Sequence, residues 1–212
     1  MKQLLIIGAG GFGREMYGAA RTSVGFGTDF VIRGFLDARA DALSGFSGYP
    51  PVLGDPATYV PAPDDVFVTA LGDIASRRRC AQALEEKGAE FVAIVHKTAY
   101  IGPNVTIAPG AFIAPNAVLT ADIRIGRHAS VFHGSSIGHD TVLGDCAHVY
   151  AQCSLGGSVR VGEGARVFPG SVIVPRRTIG ANATVGAGST VIIDVAEGDT
   201  VFGNPAASIG SL

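Results

Sequence analysis

The stretch "VHKTAYIGPNVTIAPGAFIAPNAVLTADIRIG", residues 95–126, carries an aliphatic residue at every sixth position. The spacing continues to residue 191, and all seventeen positions hold Val, Ile or Leu. They are Val95, Ile101, Ile107, Ile113, Leu119, Ile125, Val131, Ile137, Leu143, Val149, Leu155, Val161, Val167, Ile173, Ile179, Val185 and Val191. A period of six is neither the 3.6 of a helix nor the two of a simple strand. It is typical of a parallel β-helix built from six-residue units, called hexads below.

The repeat predicts how each coil of this β-helix is built. Three hexads form one triangular coil of 18 residues, with the aliphatic first place and a small fifth place pointing inward. Glycine often follows the aliphatic residue, as at Gly102 and Gly138, and we expect it to allow the turn at each corner. Ile123 and Arg177 break the pattern of small fifth-place residues, so a bulge or a partner is expected at Arg177.

The first part of the chain has a different organisation. "QLLIIGAGGFGREMYGAA", residues 3–20, predicts a strand, a glycine loop and a helix, with Gly8, Gly10 and Gly13 in the GxGxxG pattern. Backbone amides in such a loop can approach a phosphate, although a tight turn that needs glycine for packing is the alternative. Further strands are predicted near 31–36, 66–71 and 91–95, and a helix after Asp73 as its N-cap.

These features predict two domains: a Rossmann-like nucleotide-binding unit over residues 1–94 and a β-helix with a tail over 95–212. A dinucleotide fold needs two mononucleotide halves, and only one is present here. A single nucleotide or a nucleotide-sugar therefore fits the first unit better than NAD does.

Composition excludes several classes of function. A net charge of −2, without aromatic residues interleaved among basic ones, argues against nucleic acid. No apolar run is long enough for a membrane span, and the start lacks the features of a signal peptide. Three cysteines, Cys80, Cys146 and Cys153, form no CxxC pair, and an odd number without a secretion signal favours the cytoplasm.

The glycine-loop unit, the hexads and the tail sequence "GNPA" at 203–206 together resemble one family over almost the whole chain. It is the hexapeptide-repeat sugar acetyltransferases of the sialic-acid O-acetyltransferase and bacillosamine N-acetyltransferase type. The resemblance implies a left-handed β-helix, a homotrimer, and acetyl-CoA as the co-substrate. It further implies N-acetylation of a nucleotide-linked amino sugar, at a 4-amino group, in surface-glycan biosynthesis. O-acetylation of a sugar hydroxyl and a non-catalytic, nucleotide-sugar-binding trimeric scaffold are the alternatives.

The same resemblance assigns residues to roles. His139 is the implied catalytic base, and Asp140 is the carboxylate beside it. The implied contacts with acetyl-CoA are His148, Gly157, Pro169 and Ala187. The implied contacts with the nucleotide-sugar are Gly8, Gly10, Gly11, Phe12, Gly13, Asp37, Leu71, Gly72, Asp73 and Arg77. Phe12 stands where close relatives place His, and Ala38 where some have a second Asp, so the sugar and the nucleobase stay undetermined.

The chemistry expected of these side chains follows from acyl transfer. An amine that attacks a thioester must lose a proton, which a neutral imidazole accepts near pH 7. A carboxylate can orient that imidazole and stabilise its charged form, but Asp140 reaches His139 only if the hexad corner turns between them. His139 and His148, in the third and sixth places, should both face outward, on different faces of one prism. A shared site is therefore expected between subunits, and a part for His133 stays open.

A metal site is the main rival interpretation for histidines on a β-helix. Metal ligands on such a scaffold come from coils in register. His96 and His128 are 32 residues apart, which is not a multiple of 18, so they should not stack. We therefore expect no metal.

Overall fold

The computed structural model describes residues 1–210. Its internal contacts divide the chain into two compact units, one from Met1 to Ile94 and one that begins at Val95. The two units are described separately below.

The first unit is a parallel four-stranded sheet with two helices. Its elements are β1 (Lys2–Ile7), α1 (Gly11–Ala20), β2 (Phe30–Leu36), β3 (Asp65–Thr69), α2 (Ile74–Glu85) and β4 (Glu90–Phe91). The strand order is β2–β1–β3–β4. The side chains of Leu4, Leu5, Ile6 and Ile7 are all buried, as expected for a central strand of a parallel sheet. The predicted Rossmann-like unit is confirmed. Within residues 1–210, neither helix is long and apolar enough to cross a bilayer.

The order of the strands creates an opening at one edge of this sheet. β1 lies next to β3, while the chain leaves β1 towards β2 on one side and leaves β3 towards β4 on the other. Ligands of open α/β sheets bind at such a switch point, beyond the carboxyl ends of the strands. The loops that follow β1 and β3 begin at Gly8 and Ala70 and lie at this edge.

The predicted strand over residues 91–95 is split in the structure. β4 pairs with β3 in the first sheet, whereas β5 (Ile94–Val95) belongs to a sheet of the β-helix. Val92 and Ala93 lie in neither strand. The prediction of one continuous strand was wrong because the hexads require a two-residue strand at the sixth and first places, which begins only at Ile94.

The second unit is a parallel β-helix with three faces. The first face contains β5 (Ile94–Val95), β8 (Phe112–Ile113), β11 (Ser130–Val131), β14 (His148–Val149), β17 (Arg166–Val167), β20 (Thr184–Val185), β22 (Thr200–Gly203) and β23 (Ala206–Ser208). The second face contains β6 (Tyr100–Ile101), β9 (Val118–Leu119), β12 (Ser136–Ile137), β15 (Ser154–Leu155), β18 (Val172–Ile173) and β21 (Thr190–Val191). The third face contains β7 (Thr106–Ile107), β10 (Arg124–Ile125), β13 (Val142–Leu143), β16 (Arg160–Val161) and β19 (Thr178–Ile179).

The coils stack in the predicted register. Ser130 pairs with His148 and Val131 with Val149, so each strand lies against the strand 18 residues later. Apart from Ile101, which is exposed, the first-place aliphatic residues form one continuous hydrophobic core together with most of the small fifth-place residues. Only β23, which follows the "GNPA" sequence, runs antiparallel to its neighbour β22.

The corners turn at the fourth place of each hexad rather than at the glycine of the second place. From Asn104 to Gly188, every fourth-place residue has a φ between 55° and 76°. Second-place glycines do not share this conformation. A Cβ added to Gly138 would lie 2.6 Å from the backbone of Gly156 and Gly157 in the next coil. The expected role of these glycines was therefore wrong: they let adjacent coils approach closely.

The two departures from the fifth-place pattern are accommodated differently. Ile123 is fully buried in the core. Arg177 produces no bulge, because β19 stays in register with β16. Its Nη1 instead lies 3.4 Å from the carboxylate of Asp194, so a partner neutralises its charge.

Candidate active site

His139 and Asp140 form a hydrogen-bonded pair at the corner that follows β12. The distance between His139 Nδ1 and Asp140 Oδ2 is 2.7 Å. Adjacent residues on a straight strand point to opposite sides, but Asp140 occupies the fourth place and has a φ of 61°. This turn brings its carboxylate beside the ring, which is the condition that the sequence left open.

The pair leaves one ring nitrogen available for chemistry. A carboxylate can only accept a hydrogen bond, so Nδ1 carries the hydrogen and Nε2 of the neutral ring is a proton acceptor. The side chains of His139 and Asp140 are 67% and 59% exposed in the single chain. The base can therefore be reached from outside the β-helix.

A cavity of about 410 Å³ lies beside this pair. Its lining residues are Asp122, Arg124, Asp140, Val142 and Arg160. Arg124, Val142 and Arg160 occupy the same hexad place in three successive coils and stack on the third face. Neither arginine is predicted from the sequence, because an outward sixth-place residue looks like ordinary surface. The available signal was that Arg124 and Arg160 occupy the same hexad place two coils apart, and so lie on one face.

The predicted contacts with acetyl-CoA do not come together in one chain. Gly157 lies directly below His139, because a Cβ added to Gly157 would be 2.6 Å from His139 Nε2. Pro169 and Ala187 are exposed and follow β17 and β20, so they lie at the corner after the first face. Gly157 follows β15 on the second face.

His148 differs from its predicted environment. It lies in β14 on the first face, whereas His139 follows the second, so the expectation of different faces is confirmed. Its expected outward exposure is wrong: the side chain is 0% exposed. The ring centroids of Phe132 and Tyr150 lie 6.0 and 5.5 Å away. His148 is thus covered in this conformation, and its contact with acetyl-CoA stays a prediction.

A second cavity, of about 350 Å³, opens at the carboxyl ends of β1 and β3. It is lined by Ile7, Gly8, Leu36, Asp37, Ala38, Asp55, Pro56, Ala57, Leu71, Ser76, Arg79 and Cys80. Gly8, Asp37 and Leu71 were predicted from the sequence. Asp55 and its neighbours come from the irregular segment between β2 and β3, and Arg79 comes from α2. No motif marks these additional residues.

The glycine loop leaves the start of α1 open. Gly10 precedes the helix and Gly11 begins it, and no atom lies within 4 Å of a Cβ added to either residue. Gly13 is different, because its Cβ would overlap the carbonyl oxygen of Gly8. Gly13 thus serves packing, as the alternative interpretation required, while Gly10 and Gly11 leave room for an anion near the helix N-terminus.

Asp37 is held in place by the glycine loop. Its Oδ2 accepts a hydrogen bond from the Ala9 amide, and its Oδ1 accepts one from the Arg39 amide, each at 2.9 Å. Burial acts to raise the pKa of Asp37, but the two amides and the Arg39 guanidinium outweigh it and lower the pKa. Asp37 therefore stays ionised at neutral pH, holds the glycine loop and lines the cavity.

The predicted segment around Leu71 is organised by α2. Arg77 is 0% exposed, and its Nη2 donates a hydrogen bond of 2.7 Å to the Leu71 carbonyl. It also lies over the ring of Phe12, 5.6 Å from the centroid. The expected contact of Arg77 with nucleotide is thus wrong for this conformation, because a side chain on the inner face of α2 has no surface to offer. It supports the Leu71 loop instead.

Asp73 and Gly72 lie at the start of the same helix. Asp73 is the N-cap, as predicted, and its Oδ2 accepts a hydrogen bond of 2.8 Å from the Ser76 amide. This bond and the Ser76 hydroxyl lower the pKa of Asp73. Gly72 is exposed. Neither residue is among those that line the cavity.

Among residues 1–210, no three side chains of the types that bind metals come together. The ring of His96 hydrogen-bonds to Thr98 within its own corner.

Comparison with known proteins places both units. Residues 3–84 match the family model of the PglD N-terminal domain, and residues 89–184 match that of the GMPPB C-terminal domain. Comparison with curated protein sequences gave no match.

Solved structures resemble the chain over its whole length. The perosamine N-acetyltransferase PerB from Caulobacter crescentus, in complex with CoA and GDP-perosamine, is 28% identical with a TM-score of 0.88. The match covers 99% of this chain and 98% of PerB. The resemblance to the hexapeptide-repeat sugar acetyltransferases is thereby confirmed over both units. The β-helix of this acetyltransferase is accordingly left-handed.

Two further structures agree with this assignment. The acetyltransferase domain of PglB from Neisseria gonorrhoeae, in complex with acetyl coenzyme A, is 26% identical to this acetyltransferase with a TM-score of 0.76. That match covers 98% of this chain and 99% of the other. WeeI from Acinetobacter baumannii is 28% identical with a TM-score of 0.72, over 99% of this chain and all of WeeI.

Proposed function

We propose that this acetyltransferase moves the acetyl group of acetyl-CoA to the amino group of a nucleotide-linked sugar, in surface-glycan biosynthesis. The observation that carries the proposal is the 2.7 Å hydrogen bond between His139 Nδ1 and Asp140, which leaves Nε2 of an exposed ring for proton transfer. The related PerB was solved with CoA and GDP-perosamine, and the PglB domain with acetyl coenzyme A. Structures of the perosamine enzyme include forms in which one histidine is replaced by asparagine or alanine.

The reaction is a direct transfer. The amine nitrogen attacks the thioester carbonyl, and His139 Nε2 accepts the proton that the amine loses. Asp140 stabilises the imidazolium that forms. The carbon–sulfur bond then breaks and CoA leaves with the electron pair and regains a proton from the ring.

No cysteine of the β-helix is placed to carry the acetyl group. The side chains of Cys146 and Cys153 are almost completely buried. Burial raises the pKa of the Cys153 thiol, so it stays protonated and unreactive. The structure therefore supports transfer without an acyl-enzyme.

The cavity of the first unit is the proposed site for the nucleotide. It lies at the switch point of the sheet, beside the open N-terminus of α1, where phosphate groups bind. Carboxylates from Asp37 and Asp55 and the guanidinium of Arg79 offer hydrogen bonds to a base and a ribose. Gly8 lines this cavity, and Gly10 and Gly11 follow it at the start of α1.

We infer that the active enzyme is a homotrimer. A base that is 67% exposed cannot exclude water, and five residues around one cavity cannot enclose a ligand of the size of acetyl-CoA. A neighbouring β-helix would supply the missing wall. The proposed division is that one subunit provides His139 and its neighbour provides the surface that contains His148.

We also infer a cytoplasmic location. All three cysteines are thiols rather than disulfides, which fits a reducing compartment.

Replacement of the base tests the proposed function. His139→Ala should lower kcat by about 10²–10⁴-fold in an assay of CoA thiol release, because the loss of a general base has that magnitude. His133→Ala is the matched control, since His133 is also an exposed third-place histidine but lies at another corner. Full activity of His139→Ala would remove the proposed mechanism. The scaffold alternative requires that the unmodified protein releases no thiol with any amino sugar.

The acceptor can be identified by ligand-induced stabilisation. A ligand that binds only the folded state raises the unfolding temperature. GDP-, UDP- and CMP-linked amino sugars should therefore be screened, each beside the matching hydroxy sugar. Transfer to the hydroxy sugar and not to the amino sugar would establish the O-acetyltransferase alternative.

A further inference from the structure

Gly157 is unusual for its place in the repeat. Third-place residues of the sixteen hexads between 95 and 190 include Pro, Ala, His and charged residues, but Gly157 is the one glycine among them. Its backbone is not in the left-handed region, so the conformation does not require glycine. At the neighbouring corner, His133 has Ala151 as its counterpart one coil later. The fold therefore accepts alanine one coil after a histidine.

The space that glycine leaves at 157 faces the working nitrogen of the proposed base. A Cβ at this position would lie 2.6 Å from His139 Nε2 and 2.7 Å from Cε1. Normal separations are about 3.5–4 Å, so the ring would have to move by about 1 Å. Because Nδ1 is fixed on Asp140, such a movement either breaks the 2.7 Å hydrogen bond or turns Nε2 away from the substrate.

We propose that Gly157 is a positioning residue: its missing side chain lets the His139 ring lie against Asp140 and keeps room at Nε2 for the acceptor amine. This inference rests on the proposed role of His139. It adds a steric requirement to the implied contact of Gly157 with acetyl-CoA. A shift of about 1 Å in a catalytic group can cost about 10² in rate, which sets the size of the expected effect.

Comparison with the adjacent Gly156 separates this positioning role from a role in folding. A Cβ at Gly156 would lie 2.7 Å from the backbone nitrogen and the ring of Pro175, so Gly156→Ala should lower stability. The three atoms nearest to a Cβ at Gly157 all belong to the exposed ring of His139, which can swing away. Gly157→Ala should therefore leave the unfolding temperature unchanged while it displaces the ring of His139.

The test measures two quantities in the whole protein: the rate of the reaction and the state of the His139 ring. Gly157→Ala should lower kcat by about 10²-fold. It should also remove the His139 Nδ1 proton resonance from the NMR spectrum recorded without acetyl-CoA. Gly18→Ala is the matched control, because nothing lies within 4 Å of a Cβ there, and it should change neither measurement.

Two outcomes would overturn the inference. One is unchanged kcat in Gly157→Ala. The other is a lower kcat with an unchanged His139 resonance, which would leave contact with acetyl-CoA as the only role of Gly157. Failure of the proposed function itself appears separately, as full activity of His139→Ala.

Discussion

The pairing of His139 with Asp140 depends on one backbone angle. Asp140 has a φ of 61°, a conformation that asparagine and aspartate adopt more readily than most residues. Asparagine already occupies the equivalent fourth place at Asn104, Asn116 and Asn182. A carboxylate at this place therefore suits the turn and can also take the proposed part in the chemistry.

Asp140→Asn should separate these two contributions. Asparagine keeps the turn but removes the charge that stabilises the imidazolium, so kcat should fall by about 10²-fold with an unchanged unfolding temperature. Steady-state kinetics and thermal unfolding measure both. Asp140→Ala provides the contrast, because alanine at this φ should also lower stability. Unchanged kcat in Asp140→Asn would show that the carboxylate has no part in the reaction.

The pKa of Asp37 makes a prediction about acid stability. A lowered pKa means that the ionised carboxylate stabilises the folded state above the unfolded pKa of about 3.9, and that this stabilisation is lost as the pH falls through the folded value. Asp37→Asn should therefore reduce the free energy of unfolding at pH 7 by about 1–2 kcal/mol. The difference should shrink as the pH falls below about 3.9, because the unfolded chain then binds a proton more readily than the folded one does.

Urea unfolding at pH 7 and at pH 3 measures this difference. Asp41→Asn is the control, since Asp41 is exposed and should show no difference at either pH. A gap between wild type and Asp37→Asn that stays constant with pH would contradict the electrostatic explanation.

At the scale of the elements, each place in the hexad has its own role in forming the coil. The first and fifth places fill the core, the fourth turns the corner, and glycine in the second place lets the next coil approach. The second-place glycines are needed because a side chain there would clash with the next coil. Their backbone conformation does not require glycine. This difference can be measured.

Gly162→Ala should destabilise the β-helix, because a Cβ there would lie 2.5 Å from the Ala181 backbone nitrogen. We expect a loss of about 1–3 kcal/mol, the usual cost of overpacking. Gly188→Asn is the control: Gly188 is a fourth-place residue with open space around it and a φ that asparagine accepts. Equal unfolding free energies for the two variants would contradict the roles assigned to the second and fourth places of the hexad.

At the scale of the whole molecule, the proposed active site is incomplete in one chain. His139 and His148 lie on different faces of the β-helix, half a coil apart in sequence. Symmetric association would bring one face of each subunit against a neighbour.

Mixed assemblies test whether subunits share sites. His139→Ala and His148→Gln should each be inactive alone, and sedimentation should show trimers. After the two are unfolded and refolded together in equal amounts, about a quarter of the sites should combine an intact His139 with an intact neighbouring His148. Recovery of about that fraction of wild-type thiol release is expected. Absence of any recovery, from variants that fold and associate normally, would place the whole site within one chain.

The sequence by itself determined the architecture, and its resemblance to a family indicated the proposed base. A six-residue period sets where each strand and each corner of a β-helix falls. The core residues and the coil length therefore followed from it. The glycine pattern and Asp73 likewise located the first helix–loop unit and an N-cap, because both are local signals.

Only the tertiary structure decided what these residues contact. That Asp140 reaches the ring, that Gly157 faces Nε2 and that Arg77 supports the Leu71 loop each depend on backbone angles or on neighbours in other coils and elements. The burial of His148 depends on the rings around it, which a position within a hexad does not reveal. A repeat specifies the direction of a side chain relative to the strand. Its exposure and its partners are set by everything that packs against it.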